Sequence, residues 1–132
     1  MTADGTRVNF MDKKRLTPAN NPELDDRPVA ELLAALGKAQ GYGKAQIIFA
    51  LSRKSRSQPE VMQVVLHEVG STDNQSTVAQ FNDSVAMAAA FAVVDEGRPE
   101  DIETLKQIID QWQDPYHSED FYWTLKGCDL II

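Results

Sequence analysis

What the chain lacks narrows its reading first. It holds one cysteine, Cys128, in 132 residues. A lone thiol forms no internal disulfide, so the fold must be held by packing, and a reducing, cytoplasmic setting is the expectation. No apolar run approaches the roughly 18 residues of a membrane span. The longest, Val85 to Val94, is short and rich in alanine, which suits a buried helix. The N-terminal MTADGTRVNFMDKKRL has no uninterrupted apolar stretch of the secretory kind, so no membrane partner is expected.

Signatures of chemistry are equally sparse. There is no HExxH and no cysteine pair, and the two histidines, His67 and His117, keep no fixed local spacing. A small metal-binding protein or enzyme using His67 and His117 with Glu68, Glu119 or Asp120 is the alternative reading, because imidazole and carboxylate can serve as ligands or as an acid/base pair. The glycine-rich ALGKAQGYGKAQ suggests a phosphate loop. Its glycines are mis-spaced, no Ser or Thr follows Lys44, and the preceding segment reads as helix rather than strand. Cys128 has an acidic neighbour, Asp129, and no histidine beside it in sequence, which disfavours the thiolate that nucleophilic chemistry needs. No catalytic residue, metal or cofactor is assigned.

What is present is ordinary in amount and uneven in arrangement. With 42% hydrophobic and 25% charged residues, the composition is that of one globular domain large enough to bury a core. The net charge of −7 is strongly polarised. Residues 1–27 are neutral, residues 28–58 carry five bases against one acid, and residues 59–132 carry fourteen acids against three bases. Such asymmetry bears on partners and steering rather than on fold.

The backbone signals are mostly helical. Residues 1–27, with Pro18, Pro22 and the polar PANNPELDD, read as a flexible, largely irregular N-terminal tail, in which Val8–Met11 is the one segment suited to docking. Residues 28–132 read as an acidic helical domain. VAELLAAL has helical spacing and a stop at Gly37, after which three glycines are expected to interrupt the chain. A second helix is expected over Lys44 to Ser55. The valine-rich EVMQVVLHEV after Pro59 is ambiguous, with helix favoured because Glu60, Gln63 and His67 share one side of a helical wheel. GSTDNQST reads as a loop, and Thr77 with Gln80 has the capping-box pattern for a helix running to Asp95. That helix is apolar on two sides, which predicts a central position. PEDIETLKQIIDQW places Ile102, Leu105, Ile109 and Trp112 on one face, and Ser118 is the expected cap of a last short helix ending near Leu125. The fold class predicted is all-α, with five to six packed helices.

Two features point toward interaction. The acids Asp95, Glu96, Glu100, Asp101, Glu103 and Asp110 offer a carboxylate array to a basic partner, as a solvated face or as a mimic of nucleic-acid phosphates. The aromatics Tyr116, Phe121, Tyr122 and Trp123 cannot easily all face inward from one short helix, so they read as a C-terminal lid on the core or, with one or two of them exposed, as a contact surface. The partner-binding set expected is therefore those six acids with Tyr116, Tyr122 and Trp123. The function expected is that of a non-enzymatic protein–protein interaction module, an adaptor, inhibitor or assembly subunit.

The basic island Arg53, Lys54 and Arg56 falls at the end of the second helix, where cations offset the helix dipole. It is read as a counter-charge to acidic surface within the fold or across a homodimer. Direct nucleic-acid binding by the island is disfavoured by the acids elsewhere. The tail is a weaker candidate contribution to partner binding through Lys13, Lys14 and Arg15.

Overall fold

The alanine-rich apolar run forms the central helix of the protein. In the computed structural model, which describes residues 15–80 and 83–132, the chain runs through α1 (Pro22–Asp25), α2 (Val29–Leu36), α3 (Gly41–Lys54), a 3-10 turn (Pro59–Val61) leading into α4 (Met62–Gly70), and α5 (Thr72–Ser76). A two-stranded antiparallel ribbon, β1 (Val78–Gln80) with β2 (Asp83–Ser84), follows in the register Val78 to Ser84 and Gln80 to Asp83. The chain then forms α6 (Val85–Glu96), α7 (Pro99–Asp110) and α8 (Pro115–Gly127). Six of these helices have eight residues or more, so the all-α expectation holds.

Every residue of α6 from Val85 to Val94 is buried. Its five alanines favour helix and let neighbours approach closely. α3 and α4 flank it, and α5 and α7 pack on it as well. Leu32 of α2, Ile48 and Leu51 of α3, Val65 and Val69 of α4, and Leu105 and Ile109 of α7 complete the core. Phe121 of α8 is fully buried, stacked on Phe91 at 5.6 Å and edge-on to Trp112 at 6.3 Å. The Trp112 indole N–H donates to the Val69 carbonyl at 2.9 Å, which satisfies a buried polar atom.

Several local expectations are corrected. The expected interruption is present over residues 37–40, but the second helix begins at Gly41 rather than Lys44, and the φ of +58° at Gly41 is a conformation glycine adopts without a Cβ penalty. By contrast, the helix favoured for the ambiguous segment 60–69 is present, after a 3-10 start. GSTDNQST is not simply a loop, because Ser71 accepts the Asn74 N–H and starts the short α5. The Thr77–Gln80 capping box is not used. The chain stays extended there, and Ser84 caps α6 instead, accepting the Met87 N–H at 3.0 Å. Asp114, not Ser118, caps α8 through the Tyr116 N–H at 2.9 Å, and the helix is longer than expected because Pro115 is its first residue. Ser118 donates its hydroxyl to the Ile109 carbonyl.

Residues 1–14, on which the flexibility of the tail, the docking of Val8–Met11 and the roles of Lys13 and Lys14 would bear, lie outside the described residues, as does Phe81. The described remainder of the N-terminal segment lies against the core: Thr17 is buried and Leu16 and Leu24 pack on the apolar cluster.

Candidate interaction surfaces

The carboxylates proposed as one array divide into two groups. Asp95 and Glu96 sit in the last turn of α6, at the negative end of its dipole, where acids need compensation. The Asp95 carboxylate receives it from the N-terminal segment, accepting the backbone N–H groups of Leu16 at 3.0 Å and Thr17 at 2.8 Å and the Thr17 hydroxyl at 2.5 Å. Glu96 lies between two arginines, with Arg15 Nη2 at 2.8 Å and Arg56 bound at two points. Burial pushes the Glu96 carboxyl up, but the hydrogen bonds and charges of Arg56 and Arg15 outweigh it and hold the group below the usual carboxylate range. The same contact raises the Arg56 guanidinium above its ordinary value.

Asp101 is also turned inward. It is the third residue of α7, and its carboxylate accepts the Arg98 N–H at 2.9 Å, closing the start of the helix. Asp95, Glu96 and Asp101 are thus committed to contacts within the chain and take no part in an exposed array. Glu100, Glu103 and Asp110 remain exposed on α7. Of these, only Glu103 has a basic partner among the described residues, Lys106 one turn away at 3.0 Å.

The basic island is absorbed by the fold. Arg53 is buried, and its guanidinium donates to Asp25 through Nε at 3.0 Å and Nη2 at 2.8 Å and to the Pro18 carbonyl through Nη1 at 3.0 Å. Lys54 Nζ donates to the Asp25 carbonyl at 2.8 Å. Burial raises the Asp25 carboxyl, and the Arg53 hydrogen bonds, the Asn21 N–H and the nearby positive charges reverse that shift. The island therefore secures residues 18–25 on α3, while Arg56 reaches Glu96 in the second half of the same chain. Sequence reasoning placed the island as a counter-charge but missed Asp25 as its main acceptor, since an acid within a proline-broken segment resembles a solvated one.

The aromatics divide by helical angle. Phe121 and Leu125 face the core, Tyr122 is half-buried with its ring edge-on to Phe121 at 5.3 Å, and Tyr116 and Trp123 are 77% and 70% exposed. Burial and then the Asp110 charge raise the Tyr122 hydroxyl above its ordinary value. Lys126 Nζ lies 5.6 Å from the centre of the Trp123 ring.

The histidines are separate. His67 Nδ1 is 3.6 Å from Glu68 on α4, and His117 Nε2 is 3.7 Å from Asp114 on α8. A groove of about 470 Å³ beside His117 is lined by Thr72, Asp73, Gln113 and Asp114, and His67 does not reach it. Among the described residues no three His, Cys, Asp or Glu side chains converge as a metal site would require. Glu119 and Asp120 stand exposed on α8, and Cys128 is half-buried at its end.

The glycine-rich start of α3 borders a polar cavity of about 350 Å³ lined by Gln40, Gly41, Lys44, Asp73, Asn74 and Thr77. Lys44, the cation a phosphate would need, is already engaged with Asn74 Oδ1 at 2.8 Å and Glu68 at 3.1 Å. Asn74 is buried and donates from its amide to both the Glu68 carbonyl and the Glu68 carboxylate at 2.8 Å. Burial raises the Glu68 carboxyl, and Asn74, Lys44 and His67 together bring it below the ordinary value. This polar network ties α3, α4 and α5 together.

Comparison of the chain with protein-family models, with curated proteins and with solved structures finds no match.

Proposed function

We propose that the chain is a non-enzymatic interaction module whose α7 presents an acidic stripe to a basic protein partner. The observation that carries the reading is the outward placement of Glu100, Glu103 and Asp110 along one side of α7, continued by the exposed Asp114. Among the described residues Lys106 is the one lysine or arginine that pairs with an acid of this stripe, and His117 lies 3.7 Å from Asp114. Charges so placed contribute mainly to encounter rate and partner choice, and their effect falls with added salt.

The inward turn of Asp95, Glu96 and Asp101 favours a general basic partner over phosphate mimicry. Along the α7 axis Glu100 and Glu103 are separated by about 4.5 Å, whereas Glu103 and Asp110 are separated by about 10.5 Å. The even spacing of a nucleic-acid backbone is missing from the carboxylates that remain.

The test is capture of the partner from the native host by the intact chain and by a Glu100→Lys, Glu103→Lys, Asp110→Lys variant, followed by a salt titration of each complex. The reading expects a basic partner, loss of capture by the variant, and affinity that falls steeply with salt. Capture that survives both the triple reversal and high salt sinks it.

A further inference from the structure

The outer side of α8 has a pattern that the acidic stripe of α7 does not explain. Tyr116, Glu119, Trp123 and Lys126 follow one another at intervals of three, four and three residues, the spacing of the contact seam between two packed helices. Phe121 and Leu125 fix the opposite side of α8 in the core, so this seam points away from the protein. Glu119, Tyr122, Trp123 and Lys126 line one shallow groove of about 420 Å³. Neither Glu119 nor Lys126 has an ion-pair partner among the described residues.

We infer that α8 is a self-association face that pairs antiparallel with α8 of a second copy of this chain. The charges select both the occupant and its direction. Glu119 lies toward the N-terminal half of the helix and Lys126 toward its end, so reversing a second α8 about a two-fold axis near its middle brings Glu119 of each copy alongside Lys126 of the other. A parallel pairing would set Glu119 against Glu119 and Lys126 against Lys126. Like charges so placed are disfavoured. The two-fold arrangement also lays the two Trp123 rings across the seam, and the same patch serves both copies, as a closed dimer requires.

Standard stable interfaces bury roughly 800 Å² per partner. One face of a 13-residue helix supplies less, even with Ile131, 96% exposed just beyond it, so the dimer is a weak one that forms at high protein concentration.

Sedimentation equilibrium of the full chain from micromolar to near-millimolar concentration tests this. The expected result is an apparent mass that climbs from 14.7 kDa toward twice that value. Trp123→Ala, Glu119→Lys and Lys126→Glu should each weaken the dimer by roughly tenfold or more. Glu119→Lys lowers the net negative charge and Lys126→Glu raises it, so weakening by both reports the specific pairing rather than overall repulsion. An equimolar mixture of the two charge variants should associate more tightly than either alone, because each then meets its complement. These side chains project from the surface of α8, and thermal melts verify that the variants fold. A mass of 14.7 kDa at every concentration overturns the inference. So does association that the three substitutions leave unchanged, or a mixture no tighter than its components.

Discussion

The Arg56 guanidinium meets the Glu96 carboxylate at two points, Nε to Oε1 at 2.7 Å and Nη2 to Oε2 at 2.6 Å, joining the end of the basic segment to the end of the central helix. Arg15 binds the same carboxylate from the N-terminal side. Glu96→Gln removes the charge that both arginines face. It should lower the free energy of unfolding by about 1.5 kcal/mol, the low end for a hydrogen bond to a charged group, because Arg56 is half exposed. Urea denaturation measures it, and an unchanged midpoint would show that the pair does not contribute.

The acid limb of the stability curve follows from Glu96, Glu68 and Asp25. Each carboxyl is held below its unfolded value in the folded chain. A depressed acid stabilises the fold fully above its unfolded pKa and loses that contribution as pH falls through the folded one. Stability should therefore be nearly level from pH 7 to about 5 and fall progressively below the ordinary glutamate value of 4.5. Glu96→Gln should make the acid limb shallower while leaving its direction unchanged. Melting temperatures across this range provide the check, and identical limbs in the two proteins would contradict the assignment.

The helical outline is legible in particular residues. Ile102, Leu105, Ile109 and Trp112 mark one side of α7, and the unbroken apolar run from Val85 to Val94 marks a helix enclosed on all sides. The orientation of the acids is less legible. Asp95 and Glu100 look alike in sequence, yet Asp95 is sequestered because Leu16 and Thr17, nearly eighty residues earlier, offer it their N–H groups. Asp101 is an exception, since an acid at the third position of a helix opened by proline carries the signal of an N-terminal cap. Asn74 gives no such signal: in a polar run such as GSTDNQST, a buried asparagine and a solvated one read the same. The seam on α8 was visible as aromatics, but its outward direction depended on Phe121 taking the core position.

Asn74 should behave as a structural residue. Asn74→Ala leaves the Glu68 carbonyl without its side-chain donor and Lys44 without one of its two acceptors. The expected cost is about 1–3 kcal/mol, the penalty for unpaired buried polar groups. Chemical denaturation measures the loss, and faster amide exchange in α5 should accompany it. A variant as stable as the parent would show that water replaces the amide without penalty.

Gly97 joins α6 to α7 where a side chain has no room. A Cβ there would lie 2.6 Å from the Val93 carbonyl oxygen and 3.2 Å from the Asp101 Cβ. The backbone must shift to admit it, which places both the end of α6 and the Asp101 cap under strain. Gly97→Ala should destabilise the chain by about 1–3 kcal/mol, the usual cost of overpacking. Thermal unfolding tests this, and an unchanged or raised Tm would mean that the turn relaxes freely.

Asp83 is a carboxylate in an unfavourable place. It begins β2 beside an apolar groove lined by Tyr42, Phe49, Ala88 and Phe91. Burial raises its carboxyl above the ordinary value, and the Asp120 charge on α8 adds to the shift. A raised acid has the opposite sign from Glu96. The folded chain holds the proton more tightly than the unfolded one, so stability is lost as pH climbs from the unfolded pKa through the folded one. At neutral pH the ionised group is therefore a net cost, which Asp83→Asn removes while keeping the shape. Because the site is partly open to solvent, the gain should be small, a rise in Tm on the order of 1–2 °C at pH 7. It should vanish below the ordinary aspartate value of 3.8, where the parent is protonated in both states. Asp120→Asn should give a smaller gain with the same pH dependence, since it removes the lesser of the two causes. A variant of Asp83 that is neutral or destabilised at pH 7 would mean that its charge is compensated.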